Sequence, residues 1–296
     1  NYFFRLSKYQ KHIEQLLASG ELKIIPEKRA HEMLTFVREG LQDFSVSRSR
    51  ERAKNWGVPV PASPAGGPGD DSQIMYVWFD ALANYINVLG YGTDDPLFSE
   101  WWQDNPNILH HIGKGIARFH VLYWPGMLLS AGLRLPKEIF INGYFTVNGE
   151  KISKSLGNTV NPIDLVERFG TDAVRYYLLR GISPTEDGDY SDEKFKTLYN
   201  ADLANGLGNF VQRVTTLAQK VNLTDITKAS GRFEPLVAGV KQEIKTALEQ
   251  YRFDHAIETV WRLIAAGDGY VNETKGWERA GEEQQAILAD LSALIL

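Results

Sequence analysis

Apolar residues recur along this chain in two rhythms, and the change from one to the other divides it. Short apolar runs of strand length at 74–79, 108–112 and 138–142 alternate with helical spacing at 81–88 and 116–131. Strands alternating with helices predict a parallel α/β sheet whose working crevice lies at the carboxyl ends of its strands. Residues 1 to about 40 mix aromatic and charged groups at helical spacing, and Leu16-Leu17 precede a Ser19-Gly20 stop. The segment 57–72 is dense in Pro and Gly, which predicts neither helix nor central strand. Residues 144–147 followed by Asn148-Gly149 predict a hairpin, because Asn-Gly tolerates the positive φ of a tight turn. Beyond Ser191 the strand rhythm fades, and helical patterns at 191–200, 203–222, 233–250, 253–275 and 282–296 predict an α-helical second domain.

Composition narrows the classes. With 43% hydrophobic and 23% charged residues, the 296-residue chain has the balance of a soluble globular protein. Its 32 Lys+Arg against 37 Asp+Glu leave a net charge of −5, which argues against a sequence-blind DNA coat. The charge is uneven: residues 110–180 hold nine basic against five acidic side chains, and residues 196–296 hold eleven against thirteen. The α/β part therefore carries a positive region suited to phosphates. Absence of cysteine excludes disulfides, a thiol nucleophile and a thiolate zinc site here, and fits a reducing, cytoplasmic setting. No apolar run approaches the roughly 18–20 residues needed to span a bilayer. Asn1-Tyr2-Phe3-Phe4-Arg5 reads as an internal start, and the last six residues as a helix cut in its middle.

The most informative stretch is Asn148-Gly149-Glu150-Lys151-Ile152-Ser153-Lys154-Ser155-Leu156-Gly157-Asn158. Two lysines three apart, interleaved with serines and bounded by glycines, make a mobile cationic loop. Compact ammonium groups suit phosphate oxygens that shift during a reaction. A solvated basic turn is the plainer explanation for Lys-x-Ser-Lys alone, since short basic loops are common.

The loop does not stand alone. Lys151-Ile152-Ser153-Lys154-Ser155 resembles the KMSKS signature of class I aminoacyl-tRNA synthetases, with Ile for Met, and the blocks around it are similar to the methionyl-tRNA synthetase family. Those blocks are Ser47-Arg48, Trp56-Gly57-Val58-Pro59-Val60-Pro61, Tyr76-Val77-Trp78-Phe79-Asp80-Ala81, Ile112-Gly113-Lys114, Arg118-Phe119-His120, Tyr123-Trp124-Pro125, Asn200-Ala201-Asp202-Leu203-Ala204-Asn205 and Leu207-Gly208-Asn209, in the family's order. The resemblance implies the second half of a class I, Rossmann-like nucleotide-binding catalytic domain followed by an α-helical anticodon-binding bundle. It divides the chain into the end of a connective insertion (1–44), the catalytic half (45–143), the KMSKS loop and stem-contact region (144–195) and a truncated helical anticodon-binding domain (196–296). His111-Ile112-Gly113-Lys114 only approximates the other class signature, His-Ile-Gly-His, so the first half of the nucleotide fold is expected to be missing and the fragment alone inactive. Gly115 stands where the family often has Asp. His110 and His111 read as ordinary residues at a strand end.

Residue types point to what each part would hold. Trp78, Ala81, Leu82 and Tyr85 fall at i, i+3, i+4 and i+7, and His120 and Trp124 at i and i+4. Rings, a small residue and an imidazole can wall a slot for a thioether side chain. Core burial is the plainer fate for any one of them. The resemblance implies methionine contacts at Trp78, Ala81, Tyr85, His120 and Trp124, to which Leu82 is added by its place on the same face; it also implies ATP contacts at Lys151, Ile152, Ser153, Lys154, Ser155, Gly113 and Lys114, and catalytic roles for Lys151 and Lys154. It likewise implies anticodon contacts at Asn209, Arg213 and Trp277, groups able to bond base edges or stack an unpaired base. The partners implied are L-methionine, ATP as its Mg2+ complex and the cognate tRNA, with no protein-held metal, no zinc, no DNA and no membrane, in a monomer or homodimer. Two rivals remain: a non-catalytic RNA-binding module built on the helices, and a synthetase for leucine, isoleucine or valine, which should lack the aromatic set.

Overall fold

The computed structural model describes residues 1–62, 67–153, 157–221 and 229–295. They form two compact units, 1–142 and 143–296.

The first unit is built on a three-stranded parallel sheet in which Glu138–Asn142 lies between Lys23–Ile25 and Leu109–Gly113. Ile139, Phe140 and Ile141 are consecutive and all buried, so both faces of the central strand are covered, as parallel sheets require. Helices Gln10–Ser19 and Glu27–Arg38 supply one core through Ile13, Leu16, Leu17, Met33 and Val37. The predicted stop after Ser19 is real: Gly20 sits at φ 74°, a left-handed cap. A second core gathers Leu82 and Ile86 from helix Val77–Asn87, Trp102, Ile108, and Trp124 and Leu128 from helix Trp124–Ala131.

Several expectations change. Lys23–Ile25 was not anticipated as a strand, because three residues are too few to show a period. The run at 74–79 belongs to a different sheet: Asp70–Met75 is the middle strand of an antiparallel trio with Ser47–Ser49 and Pro59–Val60. It begins inside the Pro/Gly-rich segment, whose last residues are thus in a central strand, while Pro59 keeps to an edge. The helix then starts at Val77, so Trp78 stands in its first turn rather than on a strand. The long helix expected over 116–131 is three pieces, a 3₁₀ turn at Lys114–Ile116, a wide π turn at Phe119–Tyr123 and an α-helix from Trp124.

In the second unit, Phe145–Val147 pairs antiparallel with Glu150–Lys151 and parallel with Gly188–Tyr190. Asn148 and Gly149 take φ 52° and 79°, the two left-handed residues of the predicted hairpin turn. Helices Pro162–Phe169 and Thr171–Arg180, separated by Gly170, close a core around Leu165, Val174, Tyr177, Tyr190 and Phe195. Helices Asp192–Leu198, Asn209–Ala218, Glu234–Glu249, Phe253–Thr274 and Gly281–Ile295 follow, with π-helical geometry over Tyr199–Gly208. Phe210, Val214, Leu217, Val271, Ile287, Leu288 and Leu291 pack the helical core.

Candidate functional site

Six rings of the first unit make one contiguous cluster. Trp78 stacks on Phe119 with centroids 4.1 Å apart and meets His120 edge-on at 6.3 Å. Tyr85 lies 4.3 Å from His110, 5.6 Å from His120 and 6.1 Å from Trp124. His120 and Trp124 are both buried, and Tyr85 bridges them. The π turn sets His120 on this wall, and helix Val77–Asn87 presents Trp78 and Tyr85 to it at i and i+7. Leu82 is fully buried in the core beneath, whereas Ala81 is exposed. The six expected positions therefore split into a ring cluster, a core leucine and a surface alanine.

The polar edges of this cluster are fixed. His120 Nδ1 lies 3.0 Å from the Ile116 carbonyl, which can only accept, so Nδ1–H donates there. Its Nε2 then accepts from the Tyr85 hydroxyl at 2.8 Å. Trp124 Nε1–H donates to His110 Nε2 at 3.2 Å. Both imidazoles are neutral: burial, with the neighbouring His120 adding to it, pushes His110 down to about 4. Burial also lowers His120, against the opposing bond to Ile116. Burial raises the Tyr85 hydroxyl, so it stays a donor. The wall is thus uncharged and aromatic, with one hydroxyl and two oriented imidazoles.

His110, expected as an ordinary strand-end residue, is buried and joins the rings through Tyr85 and Trp124. Within Leu109–Gly113 the side chains alternate, so His110 shares the inward face with Ile108 and Ile112. That period of two was present in the sequence. Phe119 was missed for a different reason, since only the π turn brings its ring onto Trp78.

Gly113 and Lys114 stand where the Leu109–Gly113 strand passes into the 3₁₀ turn, at the carboxyl end of the parallel sheet. In the second unit, Lys151 is exposed on the hairpin strand, Ile152 is exposed, and Ser153 N–H donates 2.8 Å to Asn158 Oδ1. Asn158 Nδ2 returns 3.0 Å to the Lys151 carbonyl, so one side chain ties both ends of the basic loop. Asp189 secures the hairpin from the other side, accepting from Gly149 N–H at 2.7 Å, the Thr146 hydroxyl at 2.8 Å and Lys194 at 2.7 Å. Those donors, Lys194 first, hold its carboxyl down at about 2. Lys154 and Ser155, the other members of the expected phosphate site, lie outside the described residues.

The helical part brings its three expected residues together unevenly. Asn209 and Arg213, one turn apart on helix Asn209–Ala218, line a cavity of about 590 Å³ with Asn205, Trp261 and Asp268. Arg213 donates to Asp268 and to Asn272 Oδ1, and its guanidinium stands 5.8 Å from the ring centre of the half-exposed Trp277. Asn209 is exposed. Asp268 and Asn272 escaped sequence reasoning because the partner helix lies more than fifty residues away.

A family described as tRNA synthetases class I (M) matches residues 1–215. This chain belongs to that family. It is 39% identical to the methionine–tRNA ligase of Synechocystis sp., covering all of this chain and 55% of that protein. It is 42% identical to that of Thermotoga maritima, covering 94% and 43%. Among solved structures, methionyl-tRNA synthetase of Mycobacterium tuberculosis bound by methionyl-adenylate superposes with a TM-score of 0.84 at 37% identity, covering 99% of this chain and 57% of that one. The chain thus spans about half the length of the curated relatives it matches. The class I α/β part followed by helices is the architecture of this family's member here.

Proposed function

We propose that this chain is part of a methionine–tRNA ligase, which joins L-methionine to its tRNA at the expense of ATP through methionyl-adenylate. The observation that carries the reading is the neutral ring cluster of Trp78, Tyr85, His120 and Trp124 in a chain 37% identical to a structure bound by methionyl-adenylate. Aromatic edges and faces attract a polarisable sulfur, and an uncharged wall accepts an unbranched apolar side chain without desolvating an ion. His110 and Phe119 extend the same wall.

In the first step a methionine carboxylate oxygen attacks the α-phosphorus of ATP, and pyrophosphate leaves. In the second, a ribose hydroxyl at the tRNA terminus attacks the acyl carbon, and AMP leaves. Neither step needs a covalent protein nucleophile, so the protein contributes orientation and charge stabilisation. Lys154, with Lys151 assisting, is assigned to the triphosphate, and Ile152, Ser153, Ser155, Gly113 and Lys114 to the remaining ATP contacts. Magnesium is expected from ATP chemistry, bound to the ATP phosphates. Asn209, Arg213 and Trp277 read the anticodon, Arg213 through a fork already aligned by Asp268 and Asn272. The setting is cytoplasmic, and no described helix is long and apolar enough to cross a membrane.

The test is calorimetric titration with methionine, leucine and isoleucine. Methionine should bind alone among them, and Tyr85→Ala or Trp78→Ala should weaken it at least tenfold. Leucine binding as tightly would point to the sibling synthetases instead.

A further inference from the structure

The most exposed tryptophan of the chain is held out by the backbone. Trp56 is 80% exposed, and it follows two left-handed non-glycine residues, Lys54 at φ 54° and Asn55 at φ 59°. The left-handed backbone at Lys54 is strained, and an indole left in water forgoes the gain of burial. Gly57 follows at φ 129°, and any side chain there would collide with Ile74. Asn55 N–H bonds the Arg50 carbonyl at 2.9 Å and Trp56 N–H the Ala53 carbonyl at 3.1 Å, so the turn is fixed rather than frayed.

Trp56 forms one wall of a cavity of about 660 Å³ whose other walls include Arg48, Tyr76, Val77 and Asp80. The Arg48 guanidinium lies 4.4 Å from the centre of the Tyr76 ring and donates 2.9 Å to the Ser47 carbonyl, so it is stacked and aimed. The cavity thus offers a flat π surface in solvent, one oriented cation and one carboxylate. A π face that tolerates any base, next to a single guanidinium, suits an unpaired nucleotide within a strand. Asp80 can accept from ribose hydroxyls, and by offsetting Arg48 it disfavours a free triphosphate carrying several charges.

We propose that Trp56 is a stacking platform for the unpaired 3′ end of the RNA substrate, with Arg48 on an adjacent phosphate. The assignment rests on the RNA-charging reading above. The experiment is anisotropy of a fluorescein-labelled, single-stranded RNA tetramer ending in adenosine, titrated with the full-length protein. Trp56→Ala should raise its Kd about 10- to 100-fold, and Trp56→Phe should stay within about threefold, since one stacked base is worth that range. Arg48→Gln should lower the salt slope by roughly 0.7. Matching urea unfolding curves for Trp56→Ala and the parent would confirm that the fold is intact. Unchanged tetramer affinity in Trp56→Ala overturns the proposal, and so does displacement of the tetramer by an equal concentration of AMP, which would make this a free-nucleotide site. Failure of the functional reading is seen separately, as an unsubstituted full-length protein without methionine-dependent pyrophosphate exchange; Trp56-dependent tetramer binding in that protein would still support the platform.

Discussion

His110 shows how one buried group couples acidity to stability. In the unfolded chain an imidazole takes a proton near 6.5, but in the folded unit burial delays this to about 4. Between those values the unfolded state binds more protons, so stability falls as pH drops through the window, by roughly 3 kcal/mol from this group. His110→Gln keeps an acceptor for Trp124 Nε1–H and carries no titrating proton. Urea unfolding at pH 7.5 and 4.5 should therefore show a pH-dependent loss smaller in the variant by about that amount; equal losses would contradict the buried, neutral imidazole. At Arg213 the relevant quantity is geometry. Arg213→Lys retains charge but cannot engage Asp268 and Asn272 as a planar fork while standing over Trp277. Filter binding should find cognate tRNA weakened by about 1–3 kcal/mol in Trp277→Ala, the worth of one stacked base, and comparably in Arg213→Lys. Parity of both variants with the parent would remove these residues from anticodon recognition.

Elements fix what residues alone do not. The hairpin over Phe145–Lys151 obeys its Asn-Gly turn, but the loop after it is anchored by Asn158, five residues beyond Ser153. Asn158→Ala removes both bonds, so hydrogen exchange at the Ser153 amide should accelerate at least tenfold while the strand amides of Phe145–Val147 keep their protection. Asn158→Asp keeps the acceptor for Ser153 N–H and should restore most of that protection; no change in Asn158→Ala would show that the loop ends are held otherwise. In the helical core, Gly267 is buried within Phe253–Thr274, and a methyl there would meet the Phe210 ring. Alanine normally favours a helix by about 1 kcal/mol over glycine. Here overpacking should prevail, and Gly267→Ala should lose about 1–3 kcal/mol in chemical denaturation. A gain in stability would mean that Phe210 has room to yield.

At the scale of the whole chain, the division of labour follows its two units. The ring cluster proposed to hold methionine lies in residues 1–142, while the basic hairpin and the Asn209–Arg213–Trp277 group lie in 143–296. The 296 residues alone should support little methionine-dependent pyrophosphate exchange, because they lack a His-Ile-Gly-His phosphate motif. In the full-length protein, Lys154→Ala should slow adenylate formation far more than it weakens methionine binding. Brisk exchange by the short chain would overturn the first expectation, and equal losses would reduce the loop to a binding element.

Local chemistry was enough to determine the helical character after Ser191, the Gly20 break and the Asn148-Gly149 turn, since each depends on neighbours within a few residues. The ring set at Trp78, Tyr85, His120 and Trp124 was legible as well, through its spacing. Long-range pairing decided the rest. The strand Lys23–Ile25 exists because Glu138–Asn142 completes its hydrogen bonds, and Asp70–Met75 joins an antiparallel trio because Ser47–Ser49 and Pro59–Val60 flank it. His110 entered the ring wall, and Arg213 found Asp268, only when distant segments met. A sequence displays periods and motifs, but the partner of a buried polar group is chosen by packing across the chain.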